Sequence, residues 1–261
     1  MVKYDTKSLT AKLGEINAQG WIEEHRKGNQ GSAGNTLEDL LGVKENNLKL
    51  PDAGEWELKT HKYGSSALLT LFHSEPKPRN TSLVERYLVP KFGWPRKSGK
   101  GLSFRQTLTA QKYTNRGFKI DTSEDDMLKL KFKVNEITSD QDDYRNLLRE
   151  RFGNYSISID PQYQPYWELA DLEIAMNRKL KNTFFVDYKE RKGKNGKEFR
   201  YDKITKLTNI NARNYFDLLN CGIAYIDFDA RTGKNHGTKF RIKSHKFANL
   251  FDQQEVLYNR E

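Results

Sequence analysis

The sequence predicts an α/β fold, and three observations carry that reading. The chain has 261 residues, enough for one large domain or two small lobes with a sizeable core. Short runs that alternate apolar and polar residues are interleaved with runs at helical spacing, and no internal repeat or low-complexity tail interrupts them. Aromatic residues make up 12% of a chain that is 31% charged, and burying these large rings offsets the entropy of ordering the backbone.

The elements follow in order. Leu9, Leu13 and Ile16 recur at helical spacing ahead of Gly20 and predict an opening helix. Residues 27–34 are too rich in glycine for a regular element and read as a loop. Next, Leu37, Leu40 and Leu41 share one helical face between cap-type residues and Gly42, leaving Glu38 off the apolar stripe. Residues 51–54 make a turn into an alternating strand over 55–60, and the apolar run 67–72, ending at His73, is a second strand expected to pair with it. The aromatic and basic stretch 80–101 shows little periodicity and fits a surface loop or a backbone-binding arm. A strand over 127–134 alternates apolar residues with lysine, and a helix over 169–180 ends in Arg178, Lys179 and Lys181. Strands over 184–188 and 199–204 flank an Asn-Gly turn in the basic segment 191–197. A helix over 213–220 precedes strands over 223–228 and 239–242, which a loop over 231–238 joins.

Composition narrows the function. Lys and Arg number 45 against 35 Asp and Glu, a formal charge of +10, which favours a polyanionic partner. No run approaches the roughly 20 apolar residues of a membrane span, and the first residues lack the apolar core of a secretion signal. A soluble, cytoplasmic protein with no membrane partner is expected. The lone Cys221, in an apolar stretch, excludes an internal disulfide and a thiolate metal cluster, and it reads as a core thiol. Any metal would therefore be held by carboxylates or histidines. His25 and His61 lack a third nitrogen ligand at zinc spacing, residues 28–34 lack the ending of a P-loop, and no Gly-x-Ser-x-Gly elbow is present.

The sharpest feature is Asp52 followed by Glu57, Leu58 and Lys59. On a strand Glu57 and Lys59 share a face while Leu58 points into the core beside Trp56. Two carboxylates can hold Mg²⁺, which polarises a scissile phosphate, and a lysine can orient water and stabilise the developing oxyanion. Glu38 could add an outer carboxylate. The bare pattern is weak in so charged a chain, where a solvated Glu–Lys pair is common; its context, a Gly-rich loop, helix, Asp turn and strand in that order, strengthens it.

Residues 27–31, the helix carrying Glu38, Pro51-Asp52, Glu57-Leu58-Lys59-Thr60-His61 and Leu69-Thr70-Leu71-Phe72 together resemble the catalytic lobe of the MvaI/BcnI restriction endonucleases, which are similar in turn to the mismatch-repair nickase MutH. His236-Gly237-Thr238-Lys239-Phe240-Arg241-Ile242 resembles that family's DNA-reading segment. The likeness covers about the first 80 and last 35 residues and is thin between.

The resemblance implies a PD-(D/E)xK nuclease fold, a mixed sheet flanked by helices with two lobes forming a DNA-binding cleft, together with Mg²⁺ dependence and a CC-N-GG target cut by a monomer that nicks each strand in turn. It implies Asp52, Glu57 and Lys59 as the catalytic core, Asp52 and Glu57 as metal ligands, and Glu38 as the auxiliary carboxylate. The lobes are expected at 1–120 (catalytic) and 121–261 (recognition), with the chain free to cross between them. His73 stands where the CC-S-GG branch has a histidine, but Lys239 departs from that branch's second histidine, so the central pair stays open.

Chemistry alone points to the same reading segment. Arg241 suits bidentate contact with guanine, His236 and Lys239 add donors, Arg231 suits bases or phosphates, and Asp229 can accept from cytosine N4. A restriction enzyme of this kind acts on double-stranded DNA alongside a methyltransferase modifying the same site. The alternatives are a MutH-like repair nickase and a non-catalytic DNA-binding protein, against which the retention of Asp52, Glu57 and Lys59 speaks.

Overall fold

The computed structural model describes residues 4–28, 31–43, 53, 55–79, 82–97 and 99–260. In chain order the elements begin with α1 (Thr6–Gln19), β1 (Ile22–Glu23), α2 (Ser32–Leu40), β2 (Glu57–Lys62) and β3 (Leu68–His73). They continue with α3 (Val89–Phe92), β4 (Trp94–Pro95), β5 (Leu102–Leu108), β6 (Arg116–Glu124), β7 (Met127–Ile137), α4 (Asp142–Phe152), β8 (Tyr166–Glu168) and α5 (Leu169–Leu180). The last are β9 (Asn182–Lys192), β10 (Lys197–Ile210), α6 (Ala212–Asn220), β11 (Ala224–Arg231), β12 (Lys234–Lys243) and β13 (Phe251–Asn259). The mixed α/β architecture is the expected one. Among the described residues no helix is long and apolar enough to cross a membrane.

Two compact units share the chain. The first comprises Met1–Ala67, Met176–Asn211 and Ser244–Glu261, the second Leu68–Ala175 and Ala212–Lys243. A single cut near residue 120 does not separate them, because the second unit is inserted into the first twice.

The first unit is built on one sheet with neighbours in the order β1, β10, β9, β2, and with β13 following β1 along the same edge of β10. Strand β2 runs parallel to β9, with Glu57 opposite Thr183, Lys59 opposite Phe185 and His61 opposite Asp187. One face is covered by α1 and α2: Leu9, Leu13, Ile16, Ala33 and Leu37 pack with Trp56, Leu58, Phe184, Val186 and Tyr201 into a single core. Asp5 caps α1, accepting from the Ser8 amide at 2.8 Å, while Tyr201 donates to the Ala33 carbonyl at 2.7 Å and pins the start of α2 to the sheet. Sequence periodicity predicted both helices and β2, and the packing bears this out. The expected pairing of β2 with β3 does not occur. Strand β3 lies in the second unit and pairs with β12, since a two-strand ribbon would leave the apolar face of each strand without a partner.

In the second unit a five-stranded sheet (β3, β12, β11, β5, β4) accompanies a three-stranded one (β6, β7, β8). Between them lies an aromatic core in which Phe104 meets Phe118 edge-on at 5.3 Å and Phe228 at 5.3 Å, and Trp167 meets Phe240 at 5.7 Å. Within stretch 80–101, residues 83–92 are no surface arm: Leu83, Val84, Tyr87, Leu88, Val89 and Phe92 are buried along a π-helical turn, Val84–Leu88, that runs into α3. Those six already recur at helical spacing, but Pro90 and the surrounding basic residues obscure the pattern. The loop expected over 231–238 is mostly strand, because β11 extends to Arg231 and β12 starts at Lys234. Cys221 is exposed rather than a core thiol, for it lies in the turn that ends α6.

Phe184 is fully buried, meets the Trp56 ring at a tilt with centroids 4.4 Å apart, and stands opposite Leu58 in the sheet. Phe184→Ala should therefore destabilise the protein by about 3–5 kcal/mol; a shift below about 1 kcal/mol in the urea unfolding free energy would show that this core does not support β2.

Candidate functional site

Alternation along β2 sends Leu58 and Thr60 towards α1 and α2 and places Glu57, Lys59 and His61 on the opposite face. Glu57 is wholly buried. A buried carboxylate is unstable unless charge or hydrogen bonds compensate it, and here two ammonium groups do so. Lys59 Nζ contacts Glu57 Oε1 and also donates to the Leu58 carbonyl at 3.4 Å. Lys179, in the last turn of α5, brings its Nζ to 3.7 Å from the same Glu57 oxygen. Sequence reasoning missed Lys179. Its only signal was the Arg178, Lys179 and Lys181 cluster, which reads equally well as cations complementing a helix C-terminus.

His61 is also buried. Its Nδ1 lies 2.7 Å from Asp187 Oδ1, its Nε2 lies 3.2 Å from the Ser65 carbonyl, and its ring stacks on Phe185 at 5.7 Å. Both ring nitrogens face oxygen acceptors, the pattern of an imidazolium. The Asp187 hydrogen bond holds the pKa of His61 above its ordinary value; burial opposes this, and the Ser65 carbonyl and the Asp187 charge reinforce it. His25 lies 3.6 Å from Asp39, whose carboxylate grips Arg26 through two hydrogen bonds of 3.1 and 2.6 Å.

Glu38 is half-buried on α2. That helix covers the Leu58 and Thr60 face, with Gly34 close against Thr60. Asp52 lies outside the described residues. Among the described residues no three His, Cys, Asp or Glu side chains gather to hold a metal ion. The donor chemistry of Glu57, a hard oxygen in a closed site, fits a hard divalent cation once a second carboxylate joins it.

The second unit brings most of the proposed reading residues onto one face of its five-stranded sheet. Along β11, Tyr225, Asp227, Asp229 and Arg231 alternate with the buried Ala224, Ile226, Phe228 and Ala230. On the flanking strands Arg105 and Thr107 of β5 stand opposite Asp229 and Asp227, and Lys239 and Arg241 of β12 stand opposite Asp227 and Tyr225. The side chains bond in a regular lattice. Each aspartate takes one donor from β5 directly across: Arg105 Nε reaches Asp229 Oδ1 at 2.7 Å, and Thr107 Oγ1 donates to Asp227 Oδ1 at 3.0 Å. Each also takes one donor from the diagonal neighbour on β12: Lys239 donates to Asp229 Oδ2 at 2.7 Å, and Arg241 Nη1 to Asp227 Oδ2 at 3.0 Å. Partial burial works against the charge on Asp229. Lys239, by hydrogen bond and charge, outweighs it together with Arg105 and His236 and holds the carboxyl below its usual range.

The histidines sit beside this lattice. Strand register slips between Phe228 and Ala230, so His236 and Gly237 both face Asp229, and His236 is exposed. The slip requires Gly237 to take φ 89°, where a Cβ would also come within 3.1 Å of the His73 ring. His73 ends β3, opposite Lys239. Glu75, which the sequence did not single out, accepts from the Thr238 amide at 2.6 Å and the Asn235 side chain at 3.1 Å, bracing the hairpin. Arg231 closes β11 opposite Ser103 and Lys234.

The profile described as the MvaI/BcnI restriction endonuclease family matches residues 10–251. The structure described as a restriction endonuclease MvaI-cognate DNA substrate complex is 25% identical, with a TM-score of 0.72 over 98% of this chain and 99% of that one. A structure of restriction endonuclease MvaI in the absence of DNA is 24% identical, with a TM-score of 0.55 over 95% of this chain and 98% of that one. No curated protein sequence matches.

The pKa of His61 is raised on folding, so its contribution to stability is full below its unfolded value of about 6.5 and is lost as pH rises through the folded value. The stability gap between wild type and His61→Gln should therefore narrow as pH is raised from about 6 to 9. Thermal melts showing a gap that widens with pH would contradict the imidazolium assignment.

Proposed function

The chain belongs to the MvaI/BcnI restriction endonuclease family and is a type II site-specific deoxyribonuclease; from that premise we propose that it hydrolyses double-stranded DNA at a CC-N-GG site, as a Mg²⁺-dependent monomer that nicks each strand in turn. The observation carrying this reading is the wholly buried Glu57 carboxylate held by Lys59 on a single strand face. Cleaving a phosphodiester needs an anionic oxygen set for a cation beside a proton-bearing group for water and phosphate, and few other reactions need both in so closed a place.

Asp52 and Glu57 would hold Mg²⁺, which when bound polarises the scissile phosphate and neutralises its developing charge. Lys59 lies against Glu57 with only part of its ammonium side chain exposed, so it can orient the attacking water and donate to the phosphate oxygen as charge accumulates. Lys179 faces the same carboxylate oxygen and favours its ionised form, which is the form that binds a cation. Attack in line with the leaving 3′ oxygen gives inversion at phosphorus and a 5′-phosphate product. Glu38 is the proposed auxiliary carboxylate, acting from the α2 side.

His73, Asp229, Arg231, His236, Lys239 and Arg241 are the proposed DNA-reading residues. The family structure solved with its cognate DNA supports a duplex as substrate, and the host's own DNA would be protected by a methyltransferase modifying the same sequence.

Supercoiled plasmid bearing CC-N-GG sites should pass through a nicked form to linear product with Mg²⁺ and stay intact when the metal is chelated. Intact plasmid under every divalent metal tried would overturn the reading, and nicked product that never becomes linear without a repair partner would favour a nickase. Lys59→Ala should bind the same duplex while cutting at least about 100-fold more slowly. Lys179→Ala should raise the Mg²⁺ concentration needed for half-maximal cleavage, and an unchanged metal dependence would remove Lys179 from the site.

A further inference from the structure

The lattice on the second unit's sheet assigns a role to a residue that the reading segment omits. We propose that Asp227 is a specificity-determining positioning residue, which fixes the Arg241 guanidinium in the orientation that reads a guanine edge, with Thr107 as its brace. This rests on the DNA-cutting reading above.

A guanidinium carries five N–H groups, one on Nε and two on each terminal nitrogen. In Arg241, Nε is buried with no hydrogen-bond partner. Nη1 donates to Asp227 Oδ2 at 3.0 Å and Nη2 to the Leu68 carbonyl at 3.0 Å. One hydrogen remains on each terminal nitrogen. Two parallel donors are what guanine O6 and N7 accept in the major groove. Held on both terminal nitrogens, the guanidinium also loses little rotamer freedom when it meets a base.

A surface built to grip phosphates leaves its cations to the anion, and carboxylates among them would repel it. On this face Arg241, Lys239 and Arg105 are each bonded to an aspartate of β11. Such a lattice presents donors and acceptors side by side, which is the requirement for reading base edges. Asp227 is the member best enclosed for a positioning role: its side chain is 15% exposed, and each of its oxygens holds one partner, Thr107 on one and Arg241 on the other.

The test compares wild type with Asp227→Asn, Thr107→Val and Thr107→Ser. Cleavage kcat/KM is measured on a duplex carrying the mapped site and on duplexes with one base pair changed at a time, and Kd is measured over a range of salt. Asp227→Asn keeps the shape but weakens the grip on Arg241, so discrimination should fall by about tenfold or more at one guanine position. The other positions and the salt slope should stay unchanged. Thr107→Val should relax the same position by a smaller factor, and Thr107→Ser should restore it; Thr107 is exposed, so this pair keeps the test sound even if Asp227→Asn misfolds. A uniform loss at every position, discrimination unchanged in the folded variants, or a shallower salt slope with base preference intact would each overturn the proposal. Wild type that cuts no DNA at any sequence would instead sink the DNA-cutting reading itself.

Discussion

A carboxylate at zero exposure is the constraint around which the first unit is organised. Glu57 carries its charge inside the protein, where an unpaired ion would cost several kcal/mol. Its position is tenable because Lys59 comes from the same strand face and Lys179 from the end of α5. That requirement fixes what the neighbouring elements must do. Strand β2 needs β9 beside it in parallel to hold the face flat, and its reverse face needs the apolar stripes of α1 and α2 to anchor it. His61, two residues beyond Lys59, is compensated in the same way by Asp187. The strand thus carries an alternating program: apolar contacts behind and paired charge in front.

The second unit applies the same rule to a different end. Its sheet also has one aromatic face and one charged face, but there the charges are spread across three strands and neutralised in register. Opposite charges on neighbouring strands stabilise the sheet only modestly when exposed; what they provide is orientation. The two aspartates of β11 hold the cations of β5 and β12 at fixed points, so the surplus of +10 over the whole chain describes this surface poorly. Long-range attraction of DNA belongs to the total charge, whereas choice among sequences depends on donors and acceptors set at fixed spacing.

Much of this was legible in the sequence. The strand with Glu57 and Lys59 on one face and Leu58 on the other follows from a side-chain period of two, and the helices with Leu9, Leu13, Ile16 and Leu37 from a period near 3.6. The helix at Leu83 to Phe92 was hidden because Pro90 and scattered cations mask an apolar stripe that burial reveals. The strand residues Arg231 and 234–238 read as a loop because charge and glycine there serve a register slip at Gly237 rather than a turn.

By itself the sequence determined the α/β class, the two periodic helices, the face shared by Glu57 and Lys59, and the cluster of donors near the C-terminus, because each depends on residues close together in the chain. Only the tertiary structure decided that Lys179, 120 positions beyond Lys59 in the numbering, meets Glu57, and that β3 leaves β2 for another sheet. It likewise paired Asp227 with Arg241 and Asp229 with Lys239 on the diagonal. These depend on strand order and register, which are set by how the apolar faces of distant segments can be covered together, and no local pattern records that choice.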